Sequence, residues 1–171
     1  IIYNIENENN VFAKFNHNFD GSEANSILND STLGQQEFFT QGLSGTCGKI
    51  KFPTTQNWFD DESFNYLITG FEFKVFAEEN PVFNLPQQLI LTYNNSLGSR
   101  SYKSTNLNQD ENSYTFQIYN AEVNTALENR QFDEMDFEIS HPTPGSSPEQ
   151  AKLFGFNSNK PPELVITYTK Y

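Results

Sequence analysis

One cysteine, one methionine, one tryptophan and two histidines are all that the 171-residue chain contains of these types. A lone Cys47 cannot close an internal disulfide, supplies no thiolate zinc site and specifies no redox compartment. His17 and His141 stand far apart in sequence without metal-ligand spacing, so zinc and iron sites are not indicated. Basic residues are scarce as well: 10 Lys and Arg against 22 Asp and Glu give a net charge of −12 and a pI near 4.4. Such a surface repels nucleic-acid phosphates and anionic lipid, which argues against both as partners. No apolar run approaches the ~18 residues of a spanning helix, so no membrane insertion is expected. The chain opens at Ile1 without a signal-like segment, as a mature product or a fragment would.

Aromatics and turn formers are abundant. There are 17 Phe and 8 Tyr, with many Asn, Ser and Thr, a mixture suited to pleated half-buried surfaces joined by turns. Apolar residues alternate with polar ones from end to end. Phe71, Phe73 and Val75 share a face in "LITGFEFKVFAEEN", where Gly70 marks a bulge. Leu89, Leu91 and Tyr93 do the same before an Asn94–Gly98 turn into "SRSYKS". Tyr114, Phe116 and Ile118 follow, then Phe137 and Ile139, then Leu164, Ile166 and Tyr168. "NVFAKFNHNF" alternates near the N-terminus, and "QQEFFTQGL" and "GKIKFP" read as strands joined by a Ser44-Gly45 hairpin turn. One segment, "NAEVNTALENRQF", has helical spacing with Asn120 placed as its N-cap. The expectation is one all-β domain over residues 1–171. It is an antiparallel, jelly-roll-like sandwich of about nine or ten strands, with one short helix near residues 120–130. Residues 17–34 and 141–150 are the longest irregular loops, the places where function sits on a rigid sandwich.

No catalytic residues emerge. Gly42-Leu43-Ser44-Gly45-Thr46 lacks the last glycine of a nucleophile elbow and leads into a strand where an elbow needs a helix. Cys47 shares a strand face with Lys49 and Lys51, which favours thiolate, yet a half-buried structural cysteine is the simpler reading. Asp136 and Glu138 lie on one face of "MDFEIS" as the solvent side of a half-buried strand. Two features point to binding. Trp58, beside Asp60 and Asp61 in a polar loop, is the candidate aromatic platform for a glycan. The first long loop gathers oxygen ligands, among them Asp20, Glu23 and Asp30, of the kind a calcium ion needs.

The order of motifs also carries a resemblance. Gln41-Gly42-Leu43-Ser44-Gly45 followed by Lys49–Pro53, and the closing Leu164-Val165-Ile166-Thr167-Tyr168-Thr169, match well. His17-Asn18-Phe19-Asp20 matches loosely, and Gly70-Phe71-Glu72-Phe73 departs from the pattern. In these segments the chain resembles the C-terminal part of a family of Bacteroidota outer-membrane surface lipoproteins of unknown function. The resemblance implies an extracellular β-sandwich tethered at the cell surface, its lipid-bearing segment upstream, with no catalytic residues to carry over. Together these readings lead to a non-catalytic extracellular or cell-surface domain acting through protein–protein contacts in an outer-membrane assembly or adhesive structure. The alternative is a calcium-assisted carbohydrate-binding module using Trp58, Asp60 and Asp61.

Overall fold

Alternation of inward and outward side chains sets most of the strands. In the computed structural model, which describes residues 20–28, 30–43, 45–51, 66–80, 82–95, 98–119, 121, 124–125, 136–143 and 147–171, nine strands are present. They are β1 (Glu37–Gln41), β2 (Gly48–Ile50), β3 (Tyr66–Glu78), β4 (Ile90–Asn95), β5 (Gly98–Lys103), β6 (Ser113–Ile118), β7 (Asp136–Ser140), β8 (Gln150–Phe154) and β9 (Glu163–Lys170). All pairings are antiparallel. One sheet has the order β1-β8-β3-β6, with β9 also on β3, and the other β2-β7-β4-β5. The pairs β1/β8, β2/β7, β3/β6 and β4/β5 are those of one long hairpin whose tip is the β4–β5 turn. Rolled up so that successive rungs fall in alternate sheets, this hairpin is the jelly roll expected from the sequence.

The two sheets enclose one core. Phe71, Phe73 and Val75 of β3 and Tyr114, Phe116 and Ile118 of β6 meet Leu91 and Tyr93 of β4 and Phe137 and Ile139 of β7. Each of these is at most 2% exposed. Burying such side chains contributes about 1.5–3 kcal/mol apiece. Leu164 and Ile166 of β9 close the margin of the core, while Tyr168 stands half exposed. The register of β3 against β9 shifts between Ile68 and Gly70, which is the bulge that Gly70 signalled.

Two expectations change. The hairpin expected at Ser44-Gly45 does not pair β1 with β2, which lie in different sheets; Ser44 itself lies outside the described residues. Close approach explains the glycines on either side. A Cβ at Gly42 would sit 1.9 Å from the Ser147 carbonyl oxygen, and one at Gly48 would sit 2.1 Å from the Phe38 ring. The 17–34 segment is not an irregular loop where it is described. It holds two short helices, α1 (Glu23–Leu28) and α2 (Ser31–Gln36), the second capped by Asp30. Ala24 and Ile27, one turn apart, pack on Phe39 as a small second core. Of the helix expected near residues 120–130, Ala121, Asn124 and Thr125 are helical, and the rest lies outside the described residues, as does "NVFAKFNHNF".

An ion cluster locks α1 to the sandwich. Lys152 Nζ of β8 lies 2.6 Å from Glu23 of α1, 2.9 Å from Glu37 of β1 and 2.9 Å from Glu78 of β3. Burial disfavours the ammonium, yet hydrogen bonds to the three carboxylates outweigh it and hold the Lys152 pKa above its ordinary value of 10.5. A raised folded-state pKa contributes stability that is fully present below pH 10.5 and is lost as pH rises through the folded value. Lys152→Met leaves three carboxylates facing one another and is expected to cost about 2–3 kcal/mol at pH 7 in urea unfolding. The deficit should shrink when the same pair of proteins is compared above about pH 11.

Candidate functional site

Because β3, β5 and β7 end where β4, β6 and β8 begin, three loops gather at one end of the roll. The β3–β4 loop brings Glu79, Asn80, Phe83, Asn84 and Gln87, the β5–β6 loop brings Gln109 and Asn112, and the β7–β8 loop brings Glu149. Between them is a cleft of about 640 Å³ with Leu85 and Leu107 among its walls. Its volume lies within the ~300–1,000 Å³ range of small-molecule sites.

The loops are braced against one another. Leu107 N donates to the Gln87 carbonyl at 2.8 Å, Gln150 N to that of Asn84 at 3.4 Å and Ala77 N to that of Asn112 at 2.7 Å. Asn112 adopts a left-handed φ of 50°, which asparagine tolerates better than most residues. Asn80 Oδ1 accepts from Val82 N at 2.8 Å and Phe83 N at 3.1 Å, an Asx turn that sets the position of Phe83. Glu111 anchors the β5–β6 loop. Its carboxylate takes Lys74 Nζ at 2.7 Å, and its carbonyl takes Lys160 Nζ at 2.8 Å. The hydrogen bond from Lys74 pulls the Glu111 carboxyl below its ordinary range. Both lysines then lie over the Phe76 ring, at 5.0 and 4.5 Å from its centroid, which is how an outward-facing phenylalanine is buried. Beneath the cleft, Tyr114 Oη donates to the Pro86 carbonyl at 2.7 Å. Burial, and then the charge of Glu149, push this phenol well above its ordinary pKa.

His141 is 2% exposed and holds the third loop. Its Nδ1 accepts from Thr143 N at 3.0 Å, which places the proton on Nε2, 3.2 Å from Glu149 Oε2. Ser147 Oγ donates to the same oxygen at 2.8 Å. Serine, histidine and glutamate therefore meet, but in the wrong order for nucleophilic catalysis. The serine hydroxyl faces the carboxylate, and both imidazole nitrogens are already engaged. The cluster fixes Glu149 at the cleft wall. By contrast, Asn84, Gln87 and Gln109 leave their side-chain amides without a partner among the described residues. Phe83 is 37% exposed at the cleft. Amides and carboxylates around an accessible ring can donate to and accept from many hydroxyls on one ligand.

The residues singled out in the sequence do not gather here. Trp58, Asp60 and Asp61 lie outside the described residues. Asp20 is exposed beside Gly21, Glu23 is paired with Lys152, and Asp30 accepts from Thr32 N at 2.8 Å and Leu33 N at 3.3 Å as the α2 cap. Glu23 and Asp30 thus already have partners, and among the described residues no three His, Cys, Asp or Glu form a group able to hold a metal ion. Asp136 and Glu138 occupy the outer face of β7. Asp136 pairs with Lys51 at 3.2 Å, and Glu138 stands across from Lys49. The cleft residues were missed because they come from three separate loops. The only trace of them in the sequence is the amide-rich run "NPVFNLPQQ", which carries one aromatic between prolines.

Cys47, Lys49 and Lys51 do share the exposed face of β2 and its flanks. The lysines do not activate the thiol, however. Burial, followed by the charge of Glu138 and a hydrogen bond to it, outweighs Lys49 and raises the Cys47 pKa above its ordinary value. The side chain borders a hollow of about 60 Å³ between α1 and β1, walled by Ile27, Leu28 and Phe38, which is far too small for a cofactor.

Two outcomes follow from this geometry. With its pKa raised, Cys47 should hold less thiolate at pH 7 than an unhindered cysteine, so iodoacetamide should label it more slowly than a free thiol. Tyr114→Phe removes the donor to the Pro86 carbonyl and should cost about 1–3 kcal/mol in chemical unfolding. No family model matches the sequence, and no curated protein or solved structure matches it either. What the cleft does must be read from its own chemistry.

Proposed function

We propose that this domain is a carbohydrate-binding module that recognises a short, polyhydroxylated ligand in the end cleft without cleaving it. The observation that carries this reading is the cleft itself, about 640 Å³ in volume and lined by amide and carboxylate side chains next to a partly exposed Phe83. Sugars present alternating hydroxyls and apolar C–H faces. Paired amides and carboxylates suit the former and an aromatic ring suits the latter. The bracing of the loops favours binding, since groups already held in place lose little freedom on meeting a ligand. Recognition without cleavage is supported by Glu149, whose Oε2 already receives Ser147 and faces His141 Nε2.

The protein-contact reading has less support at this site. A protein interface is anchored by buried aromatic and arginine clusters, whereas this cleft offers one phenylalanine and two leucines amid seven polar side chains. A cell-surface setting comes from the resemblance of the Gln41–Pro53 and Leu164–Thr169 segments. In this reading the protein's own side chains bind the ligand directly, so calcium is not required.

Titration calorimetry against a panel of neutral oligosaccharides, with and without a chelator, tests the proposal. At least one should bind, unaffected by the chelator and with no reducing ends released. Phe83→Ala should then weaken that binding roughly five- to tenfold while leaving the unfolding midpoint nearly unchanged. Failure of the whole panel, or equal binding by the Phe83 variant, would overturn it.

A further inference from the structure

We infer that the cleft sorts glycans by charge, accepting neutral and amino sugars and refusing polyanionic ones such as uronates; this rests on the glycan-binding reading above. Among the described residues, the lining includes two carboxylates, Glu79 and Glu149, and no lysine or arginine. A uronate or sulfate needs a cation or a convergent set of N–H donors to replace its water. Among the described residues, three lysines of β3, β8 and the β8–β9 loop are already committed. Lys74 is on Glu111, Lys160 is on the Glu111 carbonyl, and Lys152 is held by Glu23, Glu37 and Glu78.

Glu79 is the group that discriminates. It is exposed, and its side chain accepts, among the described residues, one long 3.5 Å hydrogen bond from Asn112 Nδ2. As an exposed carboxylate in the cleft lining it can accept further hydrogen bonds, and the ammonium of a 2-amino sugar would gain charge-assisted ones there. Glu149 adds charge but has Oε2 occupied by Ser147 Oγ and opposite His141 Nε2, so it is the weaker contributor. The net charge of −12 repels polyanions at longer range, a uniform effect that salt screens. The contact with Glu79 is short-range and survives moderate salt.

The test compares three tetrasaccharides of matched length by calorimetry at about pH 6, where the amino sugar is cationic and carboxylates are ionised. These are tetra-glucosamine, tetra-N-acetylglucosamine and tetra-galacturonate. Affinity should fall in that order, with roughly fivefold steps, the worth of one contact charge in an open, water-filled cleft. Glu79→Gln should bring the first two within about twofold of each other. Glu163→Gln, which removes a charge outside the cleft lining, should leave the order intact. Galacturonate binding as tightly as the neutral sugar would overturn the inference while leaving the glycan site standing. So would a charge order that Glu79→Gln does not change, or that Glu163→Gln erases equally. If none of the three tetrasaccharides binds the folded protein, the charge inference is overturned, whereas the glycan-binding reading falls only if the whole panel of neutral oligosaccharides fails as well.

Discussion

Strand β3 is the element on which the rest of the structure depends. Its thirteen residues pair with β6 along Phe71–Phe76, with β9 along Tyr66–Lys74 and with β8 at Ala77–Glu78. Its inward side chains Phe71, Phe73 and Val75 lie at the centre of the core. A one-residue slip would turn this row out to solvent and expose Phe76 and its lysine cover to the core side, so the register is fixed by burial. Once β3 is set, the rolled hairpin has one way to close. The core needs β4 and β7 opposite, and the second sheet supplies both as neighbours.

The end cleft is a consequence of that closure. Loops leaving β3, β5 and β7 must emerge at the same end, and their backbones need partners there. The Gln87, Asn84 and Asn112 carbonyls supply them across loops, with Tyr114 supporting Pro86 from below. Rigid backbone with polar side chains left over is the arrangement a preformed recognition site requires. The acidic balance of the chain thereby acquires a local meaning. The same excess of carboxylates that keeps the surface hydrated also sets the sign of the cleft.

Most of the roll was legible in the sequence because burial on one face imposes a period of two. Phe71 to Val75, Leu89 to Tyr93, Tyr114 to Ile118 and Phe137 to Ile139 all point inward as the alternation requires. The Gly70 bulge and the Asn95–Gly98 hairpin end were readable for the same local reasons. What local pattern cannot carry is partnership. "TQGLSGTCGKIKFP" has the spacing of a hairpin, but β1 finds its partner at residues 150–154 and β2 at residues 137–139. Two six-residue helices are likewise too short to show a helical period. Only the Asp30 cap and the Ala24–Ile27 pair mark them. The cleft was invisible for a related reason, since Glu79, Gln109 and Glu149 meet only after the roll has closed.

Recognition at this end of the roll, on side chains the fold has already positioned, is the proposal on which the functional reading rests. Amide chemical-shift mapping during titration with a neutral oligosaccharide that binds tests it most directly. Perturbations should be confined to the β3–β4, β5–β6 and β7–β8 loops, including the side-chain amides of Asn84, Gln87 and Gln109, with β9 and the β4–β5 turn unmoved. Perturbations centred instead on the opposite end of the sandwich, or on the outer face of β3 and β9, would contradict it.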